Sequence, residues 1–473
     1  MNDVKMDIHI AAPVEKVWAY LSDREKLAEW LMTSDFIPEI GASFSFRAEP
    51  AGSWNGVIRC ELREIVEAER IAFTWNANDI GTETLVTFEL LAEEGGTRLS
   101  LRHERFEGAR PGAEGRHAAG WTNALRTLQT AVCGPSSEYD WSTFQISFFV
   151  EASVAEVFSL WGTAAGLRRF WPDEIEARAA DGAERPAGAV FENGDRLSLV
   201  FPTGAATELE ILNIERDRFL TFRFGENYGW VTVRLSAEAG RTKIVLRQFG
   251  LPTAGEAPWE VHANARGWWI FNLMNLKSVL LHGKDLRVRA PGAENGLGAL
   301  YVPGGEAESP HDWTGFDVFL HVRAAPEAVL ASWRTAAGLE SFFVGEARFV
   351  EASGGIRPAD ERTATGDAYS WRGIHGFEMK GKIIEASSER VAFSFGSRYA
   401  VSVTVAARDD GALLHLHQEG MADEPEDRVA GTLNCRSCWV YFLAALKARL
   451  EHGIEIRDLD PVSADAISVG FNR

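Results

Sequence analysis

One pattern is written three times along this 473-residue chain, and any fold must accommodate it. Residues 8–23 read IHIAAPVEKVWAYLSD, residues 148–163 read FFVEASVAEVFSLWGT, and residues 320–335 read LHVRAAPEAVLASWRT. Each copy holds a strand-like apolar run, a turn of small residues, and a helix with Val followed by an aromatic residue or Leu. Val17, Val157 and Val329 align, so the copies are offset by 140 and then 172 residues. Each copy closes on a Trp-led apolar helix, around Trp121, Trp269 and Trp439. Solenoid units recur every ~20–50 residues, so a period this long is a whole domain. A prior of about 150 residues per domain gives the same count of three.

Within copy one, Met6–Ala11 reads as a strand and Pro13 as the residue before a first helical turn, where its missing N–H costs little. Val17, Trp18 and Leu21 share one face of the helix that follows. A second short helix ends near Trp30. Strands are expected at Ser43–Phe46, Gly56–Val66, Arg70–Trp75, Thr84–Leu91 and Arg98–Phe106, and then a helix through Trp121, Leu125 and Leu128. Copy two predicts strands near Ala189–Phe191, Leu197–Phe201, Thr207–Asn213, Phe219–Phe224, Gly229–Leu235 and Lys243–Phe249. Copy three predicts them near Ala368–Trp371, Phe377–Glu385, Val391–Phe395, Ala400–Ala406 and Leu413–Gln418. Strands joined by short turns, with segregated helices, make an α+β class with antiparallel sheets. The expected domains are 1–133, 141–285 and 312–454, with a linker at 286–311 and a tail at 455–473. Copies two and three are closer to each other than to copy one. Both open on Asp-Trp-Ser/Thr (Asp140-Trp141-Ser142, Asp312-Trp313-Thr314), and both carry Thr-Ala-Ala-Gly-Leu at Thr163–Leu167 and Thr335–Leu339.

The formal net charge of −20 argues against nucleic acid and anionic lipid, which require a basic face. The N-terminal MNDVKMDIHI lacks the pattern of a signal peptide, and no run of 18 apolar residues occurs. Four cysteines are too few for a disulfide framework. A cytoplasmic protein without membrane insertion is expected.

Several segments resemble a known family. Ala12–Trp18 (APVEKVW), Leu21-Ser22-Asp23, Glu69–Trp75 (ERIAFTW) and Gly120-Trp121 are similar to the signatures of the START-like, or SRPBCC, superfamily in its AHSA-type branch. Copy one carries the resemblance directly, and copies two and three carry it by internal alignment. It implies three tandem helix-grip domains, each a curved antiparallel sheet wrapped around its long C-terminal helix. It also implies a cavity between sheet and helix for apolar or amphipathic small molecules. The branch takes its name from a co-chaperone that stimulates a heat-shock ATPase, and a few superfamily members are cyclases or other enzymes.

On that frame the penultimate element of each copy places a polar side chain after two apolar ones on one sheet face. These are Leu99, Leu101 and His103, then Ile244, Leu246 and Gln248, then Leu414, Leu416 and Gln418. The polar group either orients a ligand or bonds a neighbouring group. Trp30, Phe170 and Phe342 align after the first helices, with Trp171 and Phe343 next to two of them. Trp54, Trp75, Trp230 and Trp371 lie in or beside strands. The candidate ligand-binding residues are Trp30, Trp75, Leu101, His103, Trp121, Trp171, Leu246, Gln248, Trp269, Phe342, Leu416, Gln418 and Trp439. Cys435-Arg-Ser-Cys438 is a lone CxxC at a helix start, where a low-pKa thiol would be placed. His415, His417 and Glu419 share the face opposite the inferred cavity and are expected to be solvated rather than to hold metal. His375 has no evident partner. No P-loop, H-E-x-x-H, dinucleotide loop or G-x-S-x-G elbow occurs.

These observations favour binding or sequestration of small apolar or amphipathic molecules, with no cofactor or metal. The alternatives are a cyclase- or hydrolase-type enzyme using His103, and a chaperone regulator or other protein-interaction module. Gln at the equivalent position cannot carry a proton, so any chemistry is expected in copy one.

Overall fold

Alternation of buried and exposed residues builds the sheets. In Gly96–Glu104, Arg241–Phe249 and Gly411–Glu419 every second side chain is buried, the period of a strand with one covered face. The computed structural model describes residues 3–459 apart from 51–53, 94, 112, 135–138, 203, 226–227, 254–257, 289–312, 375–377, 397, 423 and 425–426. Residues 289–311 of the expected linker, Asp312, His375 and most of the tail lie outside the described residues.

Domain 1 runs β1 (Val4–Ile10), α1 (Val14–Ser22), α2 (Arg24–Trp30), β2 (Thr33–Ser34), β3 (Ser43–Arg47), β4 (Val57–Val66), β5 (Arg70–Ala77), β6 (Thr84–Glu93), β7 (Gly96–Glu104) and α3 (Ala113–Cys133). Its strands form one antiparallel sheet in the order β1-β7-β6-β5-β4-β3-β2. Domain 2 repeats the plan. It runs β8 (Thr143–Val150), α4 (Val154–Trp161), α5 (Ala164–Phe170), β9 (Glu174–Arg178), β10 (Arg196–Val200), β11 (Ala206–Glu215), β12 (Phe219–Phe224), β13 (Trp230–Glu238), β14 (Arg241–Phe249) and α6 (Pro258–His282). Domain 3 has β15 (Gly315–Val322), α7 (Pro326–Arg334), α8 (Ala336–Glu340), β16 (Glu346–Val350), β17 (Ala368–Arg372), β18 (Glu378–Ala386), β19 (Arg390–Phe395), β20 (Tyr399–Arg408), β21 (Gly411–Glu419) and α9 (Cys435–His452). All three sheets have seven strands in the same order. The architecture is α+β, with three tandem helix-grip domains. Among the described residues no helix is long and apolar enough to cross a membrane.

A register shift bends each sheet at the same place, between Leu62 and Glu64, Ile211 and Asn213, and Ile383 and Glu385. Such bulges curl a strand, which is how the sheet comes to wrap a helix. The Thr-Ala-Ala-Gly-Leu repeat also has a physical cause. Thr163 and Thr335 cap α5 and α8 by accepting from the Gly166 and Gly338 amides at 3.0 Å. A Cβ at Gly166 would collide with the Ser159 carbonyl oxygen, and one at Gly338 would lie 2.6 Å from that of Ser332.

The structure departs from the sequence expectations at the sheet edges. Ala189–Phe191 is not a strand; Val190 makes only an isolated bridge to Thr163. The edge is instead β9 in domain 2, β16 in domain 3 and the two-residue β2 in domain 1, all missed in sequence. Edge strands are short and half exposed, so they leave little hydrophobic pattern.

The described residues form two main cores. One fills domain 1, and the other is continuous through domains 2 and 3. The long helices explain the difference. In α3, Trp121, Ala124, Leu125, Leu128 and Val132 form one buried stripe. In α6 the run Trp268–Met274 is buried on all sides, as is Trp439–Leu446 in α9. A helix apolar all round must be covered twice, and α6 and α9 cover each other.

Candidate functional site

The domain 1 helix is held to its sheet by a chain of aromatic hydrogen bonds. The Trp121 indole N–H donates to His103 Nδ1 at 3.0 Å. An indole can only donate, so the His103 proton is on Nε2, which faces Thr84 Oγ1 at 2.7 Å. Thr84 in turn donates to the Trp75 carbonyl at 2.8 Å. His117, whose ring lies 4.8 Å from His103, donates from Nδ1 to the Ala113 carbonyl at 2.8 Å. Its Nε2 accepts the Trp75 indole N–H at 3.1 Å. Both histidines are therefore neutral, with all four ring nitrogens engaged. Burial pushes His103 well below its ordinary pKa, and His117 beside it adds to the effect. Burial lowers His117 to about 4.

The polar position has one structural role in all three domains. The Trp269 indole donates to Gln248 Oε1 at 2.8 Å, and the Trp439 indole to Gln418 Oε1 at 2.7 Å. In each case the side chain that follows two apolar ones on the sheet accepts from the Trp of the long helix.

Beside this network domain 1 opens a cleft of about 300 Å³. Trp30, Trp75 and Trp121 line it with Leu31, Trp54 and Ile58. The Trp75 and Trp121 rings are 5.1 Å apart. At its rim Arg116 and Asp79 approach to 3.6 Å. Leu101 and His103 lie wholly buried beneath the cleft rather than in its wall.

Aligning the three final tryptophans shows why the other domains differ. Leu31 of domain 1 corresponds to Trp171 and Phe343, and Gly120 corresponds to Trp268 and Cys438. The Trp171 ring sits 4.9 Å from Trp269 and 5.7 Å from Trp268. Trp268 stacks on Phe224 at 5.6 Å. The gap left beside Gln248 and Trp268 is about 10 Å³, room for one water at most. In domain 3, Phe343 packs on Trp439 at 5.0 Å and on Trp371 at 5.7 Å, while Phe342 packs on Trp333. Leu246 and Leu416 are fully buried below these rings. Of the candidate ligand-binding residues, the structure brings Trp30, Trp75 and Trp121 together in one cleft. The sequence reading missed Gly120 as a cleft-forming residue, although its alignment with Trp268 was the available signal.

Two further groups fall elsewhere. Asp317 joins His415 and His417 on the outer face of domain 3, with candidate ligand atoms within 4.8 Å of one another. The Asp317 carboxylate lies 2.6 Å from His415 Nε2 and 2.9 Å from His417 Nδ1. Such a trio could hold a divalent cation; Glu419, 3.6 Å from His417, is the next carboxylate. The CxxC thiols are not activated. A π-helical turn, Arg428–Asn434, precedes Cys435, so that residue does not sit at an open helix start. Burial pushes Cys435 up to about 11 and Cys438 up to about 12.

Residues 11–132 match the family model for activator of Hsp90 ATPase homolog 1-like protein. They are an AHSA1-type domain. Two further copies of the same seven-stranded plan follow the AHSA1-type domain in this chain. No curated protein matches the chain. Among solved structures, a protein of Mesorhizobium loti, MLL2253, is 29% identical over 28% of this chain and 99% of its own, with a TM-score of 0.26. A protein of Bacillus halodurans, BH1534, is 28% identical over 28% of this chain and 97% of its own, with a TM-score of 0.24. DynU16, from the dynemicin biosynthetic locus, is 19% identical over 55% of this chain and 93% of its own, with a TM-score of 0.26.

Proposed function

We propose that this protein binds one small apolar or amphipathic molecule in the cleft of its AHSA1-type domain, and that domains 2 and 3 brace that domain. The observation that carries the reading is the contrast at one helical position. Gly120 leaves the domain 1 cleft open, whereas Trp268 fills the equivalent space in domain 2. A volume of about 300 Å³ suits a small ligand, and three tryptophans supply flat apolar walls. Acid–base catalysis by His103 or His117 is disfavoured, because neither ring keeps a free nitrogen.

The test is Gly120→Trp, which transfers domain 2's filling residue into domain 1. A Cβ at Gly120 meets nothing within 4 Å, and Gly is a poor helix former, so the variant should fold. Native mass spectrometry of the full chain, followed by denaturing extraction, should recover a bound molecule from the original protein and none from the variant. Equal occupancy of both would sink the proposal.

A further inference from the structure

The domain 1 cleft does not end at the Arg116 rim. Arg116, Gly120 and Asn213 also line a second hollow of about 320 Å³, between α3 and the outer face of the domain 2 sheet. Its floor is polar. Thr221 pairs with Thr232, Thr232 with Arg247, and Arg247 with Gln145, giving one row across four adjacent strands. Arg234 stands two residues along β13 from Thr232, on the same face.

The charges in this groove do not cancel. Arg116 is met by Asp79, and Arg126 by Asp140 at 2.9 Å. No carboxylate lies at ion-pair distance from Arg234 or Arg247 among the described residues. Each is instead seated on a ring, Arg234 over Phe219 at 5.6 Å and Arg247 over Phe249 at 5.8 Å. Burial, then the neighbouring Arg126, lowers the Arg247 pKa; Asp140 opposes this and Arg234 adds to it. The Thr221 and Thr232 hydroxyls bond each other at 3.0 Å, which uses one of their two hydrogens and leaves the other to donate. A chain of net charge −20 thus presents two uncompensated guanidiniums and a hydroxyl donor beside its apolar cleft.

We propose that this inter-domain groove takes the anionic head of the ligand whose apolar body lies in the domain 1 cleft, so that the protein selects amphipathic organic anions. Guanidinium groups suit carboxylate, sulfonate or phosphate oxygens, and a half-covered groove strengthens each contact relative to open water. The inference rests on the cleft reading for the apolar body and adds the head group and the role of domain 2.

Two fluorescent probes that differ by one sulfonate test it: 8-anilinonaphthalene-1-sulfonate and uncharged N-phenyl-1-naphthylamine. Both are titrated into the full chain, the Arg234→Gln/Arg247→Gln double variant, and the Arg234→Lys/Arg247→Lys variant. The unmodified chain should prefer the sulfonate, and salt should erase that preference. The Gln variant should lose about tenfold in sulfonate affinity and keep the neutral amine within about twofold, while the Lys variant restores most of the loss. Unchanged sulfonate binding in the Gln variant, or equal loss of both probes, would overturn the groove assignment. Failure of the cleft itself is read separately: neutral-amine binding that survives Gly120→Trp refutes the cleft whatever the arginines do.

Discussion

The Arg266 guanidinium of α6 donates at 3.2 Å to the side chain of Asn434, the residue that leads into α9. The alignment that matches Trp269 to Trp439 also matches Arg266 to Arg436 and Asn264 to Asn434, and Arg436 donates to Asn264 at 2.6 Å. Trp141 and Trp313, from the two Asp-Trp openings, meet at 5.9 Å on the same seam. Around these residues domains 2 and 3 therefore pack as the halves of an isologous dimer would, the two Arg–Asn pairs exchanging roles. That shared interface gives a physical reason for their closer sequences.

Loss of this pair should weaken domains 2 and 3 together. Arg266→Ala, at a buried site with a charge-assisted bond, should cost about 2 kcal/mol. Hydrogen-exchange mass spectrometry should show protection falling in α6 and α9 alike, with domain 1 unchanged. Loosening confined to α6 would argue against a single unit.

His103→Gln should be nearly silent, within about 1 kcal/mol, because Gln248 and Gln418 already accept the same indole N–H elsewhere. His103→Leu should cost about 2–3 kcal/mol by stranding the Trp121 N–H. Urea midpoints of domain 1 give the comparison. Equal losses for Gln and Leu would contradict the acceptor role.

Acid should destabilise domain 1 before its carboxylates titrate. Burial holds the folded His117 pKa at about 4, below the ordinary value of about 6.5. The unfolded chain then takes up the proton first. The stabilising contribution is complete above about 6.5, falls as pH drops toward about 4, and levels off below that. His117→Gln should flatten the dependence of the domain 1 midpoint in this window. Parallel curves for variant and original would refute neutral burial.

Thiol reactivity should be sharply unequal. Cys133 is exposed, Cys60 is buried, and burial raises Cys435 and Cys438 to about 11 and about 12. Ellman's reagent at mildly alkaline pH should label one cysteine quickly and the other three only after unfolding. Prompt reaction at Cys435 or Cys438 would show an activated CxxC.

The repeat, the order of the elements other than the edge strands, and the resemblance to the AHSA-type branch could be read from the sequence, because they rest on local patterns of residues. Val17, Trp18 and Leu21 are buried as their spacing required. Sequence likewise singled out the position occupied by His103, Gln248 and Gln418, since strand alternation fixes which face a residue takes. Its indole partner was beyond reach, because Trp121 is 18 residues away and meets His103 only once α3 lies in the sheet. The resemblance implied a cavity in each helix-grip domain, with any chemistry expected in copy one. Tertiary packing decided that the domain 1 cleft stands open, where Gly120 and Leu31 take the places of Trp268 and Trp171. The sequence determined the domain plan, because strand and helix periods are carried by near neighbours. The seam between domains 2 and 3, and the arginine groove beside domain 1, were decided only when surfaces from separate domains, 96 to 172 residues apart in the chain, came into contact.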